Sequence, residues 1–303
     1  MNKTCIVVTG PTASGKTALA IALARHFNTQ IISADSRQCF KEMNIGVARP
    51  SETELAAVPH HFIASHSIHQ PFNAADFESY ALHCAHEIFK THSVLVMVGG
   101  TGLYIKAFCE GLNAIPEVPE EIRANIIETY QQQGMAWLQD AVSAEDPLFF
   151  ARGEIKNPQR MMRALEVVRA TGSSILSFHA ALLPKHAFNI IKIGLAPARE
   201  ELYSRINRRV DDMIQQGLAA EAEALYPYRN LNALQTVGYK EWFSYMDGHI
   251  SREQAIALIK QNSRHYAKRQ LTWLKKDTSI QWFSSSDELE AMLKYLHTRL
   301  HTR

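Results

Sequence analysis

The stretch that most constrains the fold of this 303-residue chain is GPTASGKT, residues 10–17. Its spacing, Gly-x4-Gly-Lys-Thr, is that of a phosphate-binding loop of the Walker A type, in which glycines let backbone N–H groups approach phosphate oxygens. The β-branched run TCIVVTG precedes the loop, and KTALAIALARHF, rich in helix formers, follows it. This strand–loop–helix order favours a working phosphate site over a glycine-rich turn without a ligand.

Further short apolar runs predict the rest of a sheet. They are QIISAD, which ends on Asp35, HSVLVMVGG, which ends on Gly99 and Gly100, then FNIIKIGLA and SIQWF. Short apolar strands separated by long helical stretches are typical of a parallel sheet. We therefore expect an α/β fold with a P-loop NTPase-like parallel sheet core.

A long segment without any strand-like run separates the third and fourth of these strands. Residues 113–184 contain several prolines that separate helical patterns such as EEIRANIIETYQQQG and QRMMRALEVVRATG. We expect a helical insertion domain at 113–184, and a catalytic core built from residues 1–112 and 185–303. The C-terminal part of that core is expected to be helical.

Composition limits the class of protein. Hydrophobic residues make up 46% and charged residues 20% of the chain, so a packed core is expected. The net charge of +2 means that a nucleic-acid partner would need locally clustered positive charge. The four cysteines form no Cys-x-x-Cys pair, so neither a zinc site nor a disulfide framework is indicated. No apolar run is long enough for a membrane span, and we expect a cytoplasmic monomer with no membrane association.

The phosphate loop raises the question of which phosphate it binds. Lys16 can neutralise the outer phosphate, and Thr17 can ligand Mg²⁺. An NTPase also needs an aspartate that ends a hydrophobic strand, but VLVMV runs into GGTG instead. Asp35 is the one acid that ends a predicted strand. It can serve in acid–base chemistry or cap the next helix, and spacing alone leaves both roles open.

A series of ordered blocks resembles a known family. In sequence order the blocks are GPTASGKTALA, IISADSRQ, IGVARPS, VPHHFI, FNAADF, VGGTGLYIKA, NPQRMMRALEV, LYSRINRRVDDMI, VGYKEW and YAKRQLTWLKK. Together they resemble the tRNA dimethylallyltransferases, also called tRNA isopentenyltransferases, from about residue 4 to about residue 276. The eukaryotic members carry a C-terminal zinc finger, and the absence of such a motif indicates the bacterial type.

The resemblance implies a reaction and its partners. A dimethylallyl group passes from dimethylallyl diphosphate to N6 of the adenosine on the 3′ side of the anticodon, in tRNAs that read codons beginning with U. The loop would then hold the diphosphate of the donor together with Mg²⁺. The absence of a strand-ending metal acid fits, because no γ-phosphate is cleaved.

The resemblance also assigns the catalytic and donor-binding residues. Asp35 matches the general base, Thr101 a hydroxyl near the bridging oxygen, and Lys16 the cation that stabilises the leaving group. Thr101 also suits the cap of a helix starting near Leu103. Diphosphate binding is assigned to Gly10, Pro11, Thr12, Ala13, Ser14, Gly15, Lys16, Thr17 and Arg209. Arg209 and Arg205 share a helical face, which alternatively is an ordinary solvated basic surface.

The tRNA surface is expected where basic residues alternate with aromatic ones, a pattern suited to backbone contacts and base stacking. Each such stretch alone also fits a solvated helix face. Gln38 has an amide edge suited to reading the target base. The expected tRNA-binding residues are Asp35, Ser36, Arg37, Gln38, Thr101, Arg123, Gln159, Arg160, Met161, Met162, Arg163, Thr236, Gly238, Tyr239, Lys240, Lys268, Arg269 and Trp273.

Two departures from the family pattern affect the expected pocket. Cys39 stands where an aliphatic residue is usual, and GVARP stands in place of GTAKP.

On the residues alone, two other functions are alternatives to this reaction. A small-molecule P-loop kinase would bind ATP and need an arginine-rich lid. A GTPase-like RNA-binding module would need an Asn-Lys-x-Asp motif, which the sequence lacks.

Overall fold

Six strands form one parallel sheet in the computed structural model, which describes residues 3–113, 115–180, 186–284, 287 and 289–301. The strands are β1 (Thr4–Thr9), β2 (Ile31–Ser33), β3 (His60–His61), β4 (Val94–Gly99), β5 (Asn189–Leu195) and β6 (Ile280–Phe283). Their order across the sheet is β3-β2-β4-β1-β5-β6, and every neighbouring pair is parallel. The expected α/β fold with a parallel sheet core is confirmed.

Helices connect and cover the strands. They are α1 (Lys16–His26), α2 (Glu52–Ala57), α3 (Ala74–Ile88), α4 (Gly102–Glu110), α5 (Glu120–Glu145), α6 (Pro147–Arg152), α7 (Pro158–Thr171), α8 (Arg199–Gln215), α9 (Leu218–Leu225), α10 (Tyr239–Met246), α11 (Arg252–Leu274) and α12 (Leu289–His301). Short 3-10 turns occur at Ile175–Ala180, Tyr226–Tyr228 and Asn232–Leu234.

The central strands β1 and β4 are buried along their whole length. Successive side chains of a strand point to opposite faces of the sheet. Accordingly, Cys5 and Val7 of β1 pack into one hydrophobic cluster, and Ile6 and Val8 pack into another. Helices cover both faces, which explains why these strands are continuous apolar runs rather than alternating ones.

Two details of the sheet differ from the expectation. Strand β2 ends at Ser33, two residues before Asp35, because Asp35 turns the chain by accepting backbone hydrogen bonds from Arg37 and Gln38. Strand β3 was not expected at all. It is two residues long, lies at the edge of the sheet, and consists of polar histidines, so its sequence contains no apolar run.

The chain divides by its internal contacts into two compact units. One unit comprises Met1–Glu110 with His186–Arg303, and the second comprises Gly111–Lys185. The segment expected as an insertion was 113–184, and its C-terminal limit lies outside the described residues. Among the described residues of the second unit there are helices and one 3-10 turn but no strand. Its long helix α5 bends at Gly134, where φ is 74°.

The second unit has a hydrophobic core of its own. Buried side chains of α5, α6 and α7 pack together, among them Ile126, Leu138, Phe149 and Leu165. None of the helices within the described residues has the length and hydropathy required to cross a membrane.

Candidate active site

The phosphate loop joins β1 to α1 and depends on two glycines. Gly10 has a φ of 149° and Gly15 a φ of 92°, a backbone region that favours glycine. A Cβ added to Gly10 would also lie 2.7 Å from the carbonyl oxygen of Leu195 in β5. Helix α1 begins directly after Gly15, so its first N–H groups and the positive end of its dipole face an anion site.

Lys16 is the first residue of α1 and turns back over the loop. Its Nζ donates a hydrogen bond of 3.2 Å to the carbonyl oxygen of Pro11. Burial, followed by the positive charge of Arg209, lowers the pKa of Lys16 to about 8, while Asp35 opposes this shift. An anion bound between these cations would relieve both the burial penalty and the repulsion.

Arginines of α8 complete the positive surface. The Nη1 of Arg209 donates a hydrogen bond of 3.1 Å to Thr12 Oγ1 in the phosphate loop. Burial lowers the pKa of Arg209, and the charge of Asp35 acts against that effect. Arg205, one turn away, pairs with Glu201 at 2.5 Å, and its Nη1 lies 3.7 Å from the position of a Cβ on Gly15. Both arginines line the same cavity as the loop.

Asp35 and Thr101 lie beside this loop, just beyond the carboxyl ends of β2 and β4. Asp35 Oδ1 accepts hydrogen bonds from the backbone N–H groups of Arg37 (2.9 Å) and Gln38 (3.3 Å). Its Oδ2 accepts no hydrogen bond within the described residues. Thr101 Oγ1 accepts from Ser36 N at 3.1 Å and donates to Ser36 Oγ at 3.3 Å. One carboxylate oxygen is thus anchored, and the other is free to accept a hydrogen bond.

Thr101 also starts helix α4, but through its backbone. Its carbonyl oxygen accepts hydrogen bonds from Tyr104 N and Ile105 N, whereas its hydroxyl is turned toward Ser36.

Tyr266 of α11 lies close to Asp35 and Thr101. Burial and the charge of Asp35 raise the pKa of Tyr266 to about 12, with Arg37, Arg269 and a hydrogen bond with Thr101 opposing the shift. The residue as a whole is nevertheless 38% exposed.

One cavity of about 960 Å³ brings most of the expected site residues together. It contains the phosphate loop, Asp35 and the arginines of α8, and it extends to the segment before α10 and to α11. The volume lies at the upper end of the range for ligand pockets. The expected residues that line it are Thr12, Ala13, Gly15, Lys16, Thr17, Asp35, Ser36, Arg37, Gln38, Arg209, Thr236, Gly238, Lys240 and Arg269.

The side chains that follow Asp35 are held by specific contacts. Arg37 Nη1 donates to the carbonyl oxygens of Asn232 (3.0 Å) and Ala233 (3.1 Å). Gln38 Nε2 donates to the carbonyl oxygens of Val47 (3.2 Å) and Ala48 (2.9 Å). Two carbonyl acceptors fix which end of this amide is nitrogen. The amide oxygen of Gln38 is therefore the atom that can accept a hydrogen bond from a nucleotide base.

Segment 236–240 is split between the cavity and the interior. Thr236, Gly238 and Lys240 line the cavity. Tyr239 does not, because its side chain is 0% exposed and its hydroxyl donates to Glu221 Oε1 at 2.6 Å. This geometry does not support the expected direct contact between Tyr239 and tRNA.

The expected residues of α11 differ in their surroundings. Lys268 and Arg269 are exposed, and the Arg269 guanidinium lies 5.8 Å from the ring centroid of Tyr266. Trp273 is half-buried against the start of α4, where a Cβ on Gly102 would lie 2.1 Å from its Cε3. Trp273 thus packs beside Thr101, and only part of its ring faces outward.

In the second unit, the expected arginines are paired with acids, and Arg123 and Arg160 are exposed whereas Arg163 is half-buried. Arg123 and Arg163 lie 3.7 Å and 2.9 Å from the carboxylate of Glu166, whose side chain is 6% exposed. Arg160, 61% exposed, pairs with Glu154. Gln159 is exposed at the start of α7. The two methionines expected to contact tRNA, Met161 and Met162, are instead buried in the core of this unit, at 0% and 6% exposure.

Sequence reasoning missed three polar residues that shape the site. Gln270 Oε1 accepts from Thr12 N at 2.8 Å, and its Nε2 donates to Gly100 O at 2.9 Å. Glu221 binds the backbone of residues 44–46. Gln270 is buried, and a polar residue at a core-facing position of a helix is the signal that could have indicated it. Glu221 is half-buried, and its local sequence does not distinguish it from Glu223. Arg49, of the variant GVARP block, donates to the carbonyl oxygens of Phe40, Lys41 and Met43.

The other departure, Cys39, is fully buried, and its thiol contacts the carbonyl oxygen of Ser36 at 3.7 Å. Burial, then the charge of Asp35, raises the pKa of Cys39 to about 12. The residue is therefore a neutral thiol that packs as a small apolar side chain.

The protein ligands for a metal are few. Thr17 lines the cavity, and the described residues contain no cluster of three or more His, Cys, Asp or Glu side chains that could hold a cation. Mg²⁺ commonly keeps several waters and takes further ligands from substrate phosphates. The residues present fit a cation that arrives with a diphosphate, rather than one caged by the protein.

Comparisons with known proteins show the family to which the chain is similar. A family model described as IPP transferase matches residues 38–277. The tRNA dimethylallyltransferase of Christiangramia forsetii is 48% identical over 100% of both chains. That of Cytophaga hutchinsonii is 47% identical over 96% of this chain and 95% of its own.

Two solved structures resemble the chain. The tRNA isopentenylpyrophosphate transferase of Bacillus halodurans has a TM-score of 0.71 and 36% identity, over 98% of this chain and 95% of that chain. A eukaryotic dimethylallyltransferase acting on tRNA has a TM-score of 0.78 at 24% identity, over 94% and 74% of the two chains, which supports the fold.

A phosphate loop at the carboxyl edge of a parallel sheet, with a carboxylate and a hydroxyl beside it, defines a group transferase of P-loop architecture. The chain belongs to the IPP transferase family, as the matched residues and the identity to curated relatives show. The expected family resemblance is confirmed. The family is named for transfer from a prenyl diphosphate, a type of donor that generally requires a divalent metal.

Proposed function

We propose that this protein transfers a dimethylallyl group from dimethylallyl diphosphate to N6 of the adenosine on the 3′ side of the anticodon in tRNA. One observation carries the proposal: Asp35 lines the same cavity as Lys16 and Thr17 of the phosphate loop, Thr101 is hydrogen-bonded to the lining residue Ser36, and β4 ends in glycine rather than in an acid. The site thus has a candidate base for an acceptor but no strand-ending acid of the kind that holds the metal of an NTPase.

The donor diphosphate is bound by the loop N–H groups, Lys16 and Arg209. Negative charge grows on the bridging oxygen as the carbon–oxygen bond breaks, so cations placed there stabilise the transition state more than the bound donor. Thr17 is the residue that would hold Mg²⁺, which when bound neutralises charge on the departing diphosphate.

The acceptor is the exocyclic amine of adenine. The nitrogen forms a bond to C1 of the dimethylallyl group, and the electron pair of the broken C–O bond leaves with the diphosphate. Asp35 Oδ2 takes the proton that the amine loses, while Oδ1 stays anchored by Arg37 N and Gln38 N. Thr101 holds Ser36 and places its hydroxyl next to the same reaction centre.

The tRNA partner is anionic and must meet basic side chains. In the first unit we assign this role to Lys240, Lys268 and Arg269, with Gln38 as the base-reading residue. In the second unit we assign it to Arg123, Arg160 and Arg163, which should mainly contact phosphates. Cytoplasmic location, a monomeric state, and specificity for tRNAs that read codons beginning with U are further parts of the proposal.

The decisive experiment incubates the purified protein with bulk tRNA, dimethylallyl diphosphate and Mg²⁺. Mass spectrometry of the digested tRNA should find N6-dimethylallyladenosine, and chelation of the divalent metal should abolish it. A parallel titration compares ATP with dimethylallyl diphosphate. A strict requirement for ATP, with no product from the diphosphate alone, would favour a P-loop kinase and refute the proposal.

A further inference from the structure

Residues 44–48, which we call the wall loop, are held in place by Glu221, an acid of helix α9 that does not itself line the cavity. Gly46, Val47 and Ala48 line the active-site cavity. Glu221 of α9 accepts hydrogen bonds from three successive backbone N–H groups of this loop. They come from Asn44 (3.1 Å), Ile45 (2.8 Å) and Gly46 (2.9 Å). One carboxylate thus satisfies three donors of a segment that has no regular secondary structure.

Tyr239, the first residue of α10, secures the same contact. Its hydroxyl donates to Glu221 Oε1 at 2.6 Å, and its side chain is 0% exposed. A Cβ on Gly46 would lie 2.6 Å from the Cζ of Tyr239, so the loop backbone rests directly on this ring. Only glycine permits that approach without movement of either partner.

The wall loop in turn fixes Gln38. Both hydrogen bonds that the Gln38 amide nitrogen donates go to loop carbonyls, those of Val47 and Ala48. Its Oε1 accepts no hydrogen bond from any part of the chain that the structure describes, and Gln38 lines the cavity. The position of the loop therefore decides where an acceptor oxygen is presented to the base.

We propose that Glu221 and Tyr239 are positioning residues of the transfer reaction, acting through the wall loop to orient Gln38 toward the acceptor adenosine. Neither residue lines the cavity, so neither touches the substrates. The inference rests on the proposed function, because its effect is measured as the rate of prenyl transfer to an anticodon stem-loop. It also gives Tyr239 a role different from the tRNA contact that the sequence suggested.

The test begins with Glu221→Gln and Tyr239→Phe, with Glu223→Gln as the control. Glu223 is an exposed acid on the same helix, so its substitution removes the same charge without touching the loop. A glutamine at 221 has one acceptor oxygen and turns an NH₂ group toward backbone N–H donors. We expect kcat/KM for an anticodon stem-loop to fall about 10- to 100-fold, as small misplacements in a site do. Tyr239→Phe should cause a smaller loss, and Glu223→Gln none. Pyrophosphate affinity should stay unchanged in all three.

A double-mutant cycle separates positioning from stability. If Glu221 acts through Gln38, then Gln38→Ala with Glu221→Gln should be no less active than Gln38→Ala alone, because the group being positioned is already gone. Thermal unfolding of each variant, measured alongside, shows whether a loss of activity follows from a loss of folded protein. Losses in kcat/KM that multiply would show that Glu221 does not act through Gln38, and the proposal would be wrong.

The outcomes separate this inference from the function on which it rests. A wild-type protein that makes no prenylated adenosine refutes the proposed function. An active wild type with Glu221→Gln as active as Glu223→Gln refutes the positioning role alone. Should Glu221→Gln fail to fold, Tyr239→Phe and Gly46→Ala are measured in its place in the same cycle with Gln38→Ala. Their losses must again vanish in the Gln38→Ala background.

Discussion

Gln270 accepts a hydrogen bond of 2.8 Å from the backbone N–H of Thr12, across 258 positions of sequence. The same side chain, 7% exposed, donates to the carbonyl oxygen of Gly100 at 2.9 Å. Helix α11 is thereby tied both to the phosphate loop and to the turn that carries Thr101. The two sides of the candidate reaction centre share one anchor.

Gln270→Leu should weaken diphosphate binding and lower stability. The substitution leaves the buried Gly100 carbonyl and the half-buried Thr12 N–H without these partners, and the loss is about 1 to 3 kcal/mol for a fully buried group and less for the Thr12 N–H. Denaturant unfolding and a pyrophosphate titration measure the two effects. Gln261→Ala, at an exposed glutamine of the same helix, serves as control. Unchanged pyrophosphate affinity in Gln270→Leu would show that the loop holds its shape without this anchor.

Asp35→Ala should lower turnover by about 10²- to 10⁴-fold, the range typical of general acid–base groups. Diphosphate affinity should barely change, because the free oxygen of Asp35 serves the acceptor amine. Asp35→Asn is the informative partner, because its amide oxygen can still accept from Arg37 N and Gln38 N. Single-turnover assays should find both variants slow. A fast Asp35→Asn enzyme would mean that the residue only shapes the turn.

Pyrophosphate affinity should fall as the pH rises above about 8. Lys16 has a pKa lowered to about 8 by burial and Arg209, and only its protonated form neutralises the ligand. Below this pH the cation is already present; above it, binding must take up a proton, which weakens the apparent affinity by up to about tenfold per pH unit. Calorimetry in buffers of different ionisation enthalpy measures the uptake. In Lys16→Met the proton uptake should disappear, and its persistence there would assign the effect to another group.

Arg160→Ala combined with Arg163→Ala should weaken tRNA binding and flatten its dependence on salt. Each phosphate contact contributes about 0.7 to 0.9 to the salt slope. Pyrophosphate affinity should stay unchanged, because the phosphate loop belongs to the other compact unit. The control is Arg152→Ala, an exposed arginine at the end of α6. An unaltered slope in the double variant would place the tRNA elsewhere. A loss of pyrophosphate binding would mean that this unit supports the core.

The local pattern of the sequence determined the elements of the fold. The runs TCIVVTG and HSVLVMVGG became β1 and β4 because β-branched residues suit a strand that is buried on both faces. Residues 10–17 formed the phosphate loop because Gly10 and Gly15 adopt backbone angles that other residues disfavour. Ordered motifs also indicated the family. Each of these patterns is a short stretch of sequence, and none requires knowledge of contacts between distant residues.

Contacts between distant segments were decided only by the tertiary structure. No local pattern indicated that the two histidines of β3 would pair with β2, or that Tyr239 would be buried against Gly46. Glu221 and Glu223 look alike in LAAEAEAL, yet only the first meets the loop at 44–46. The physical reason is that such contacts depend on how whole helices pack, and each partner becomes near the other only when the intervening chain has folded.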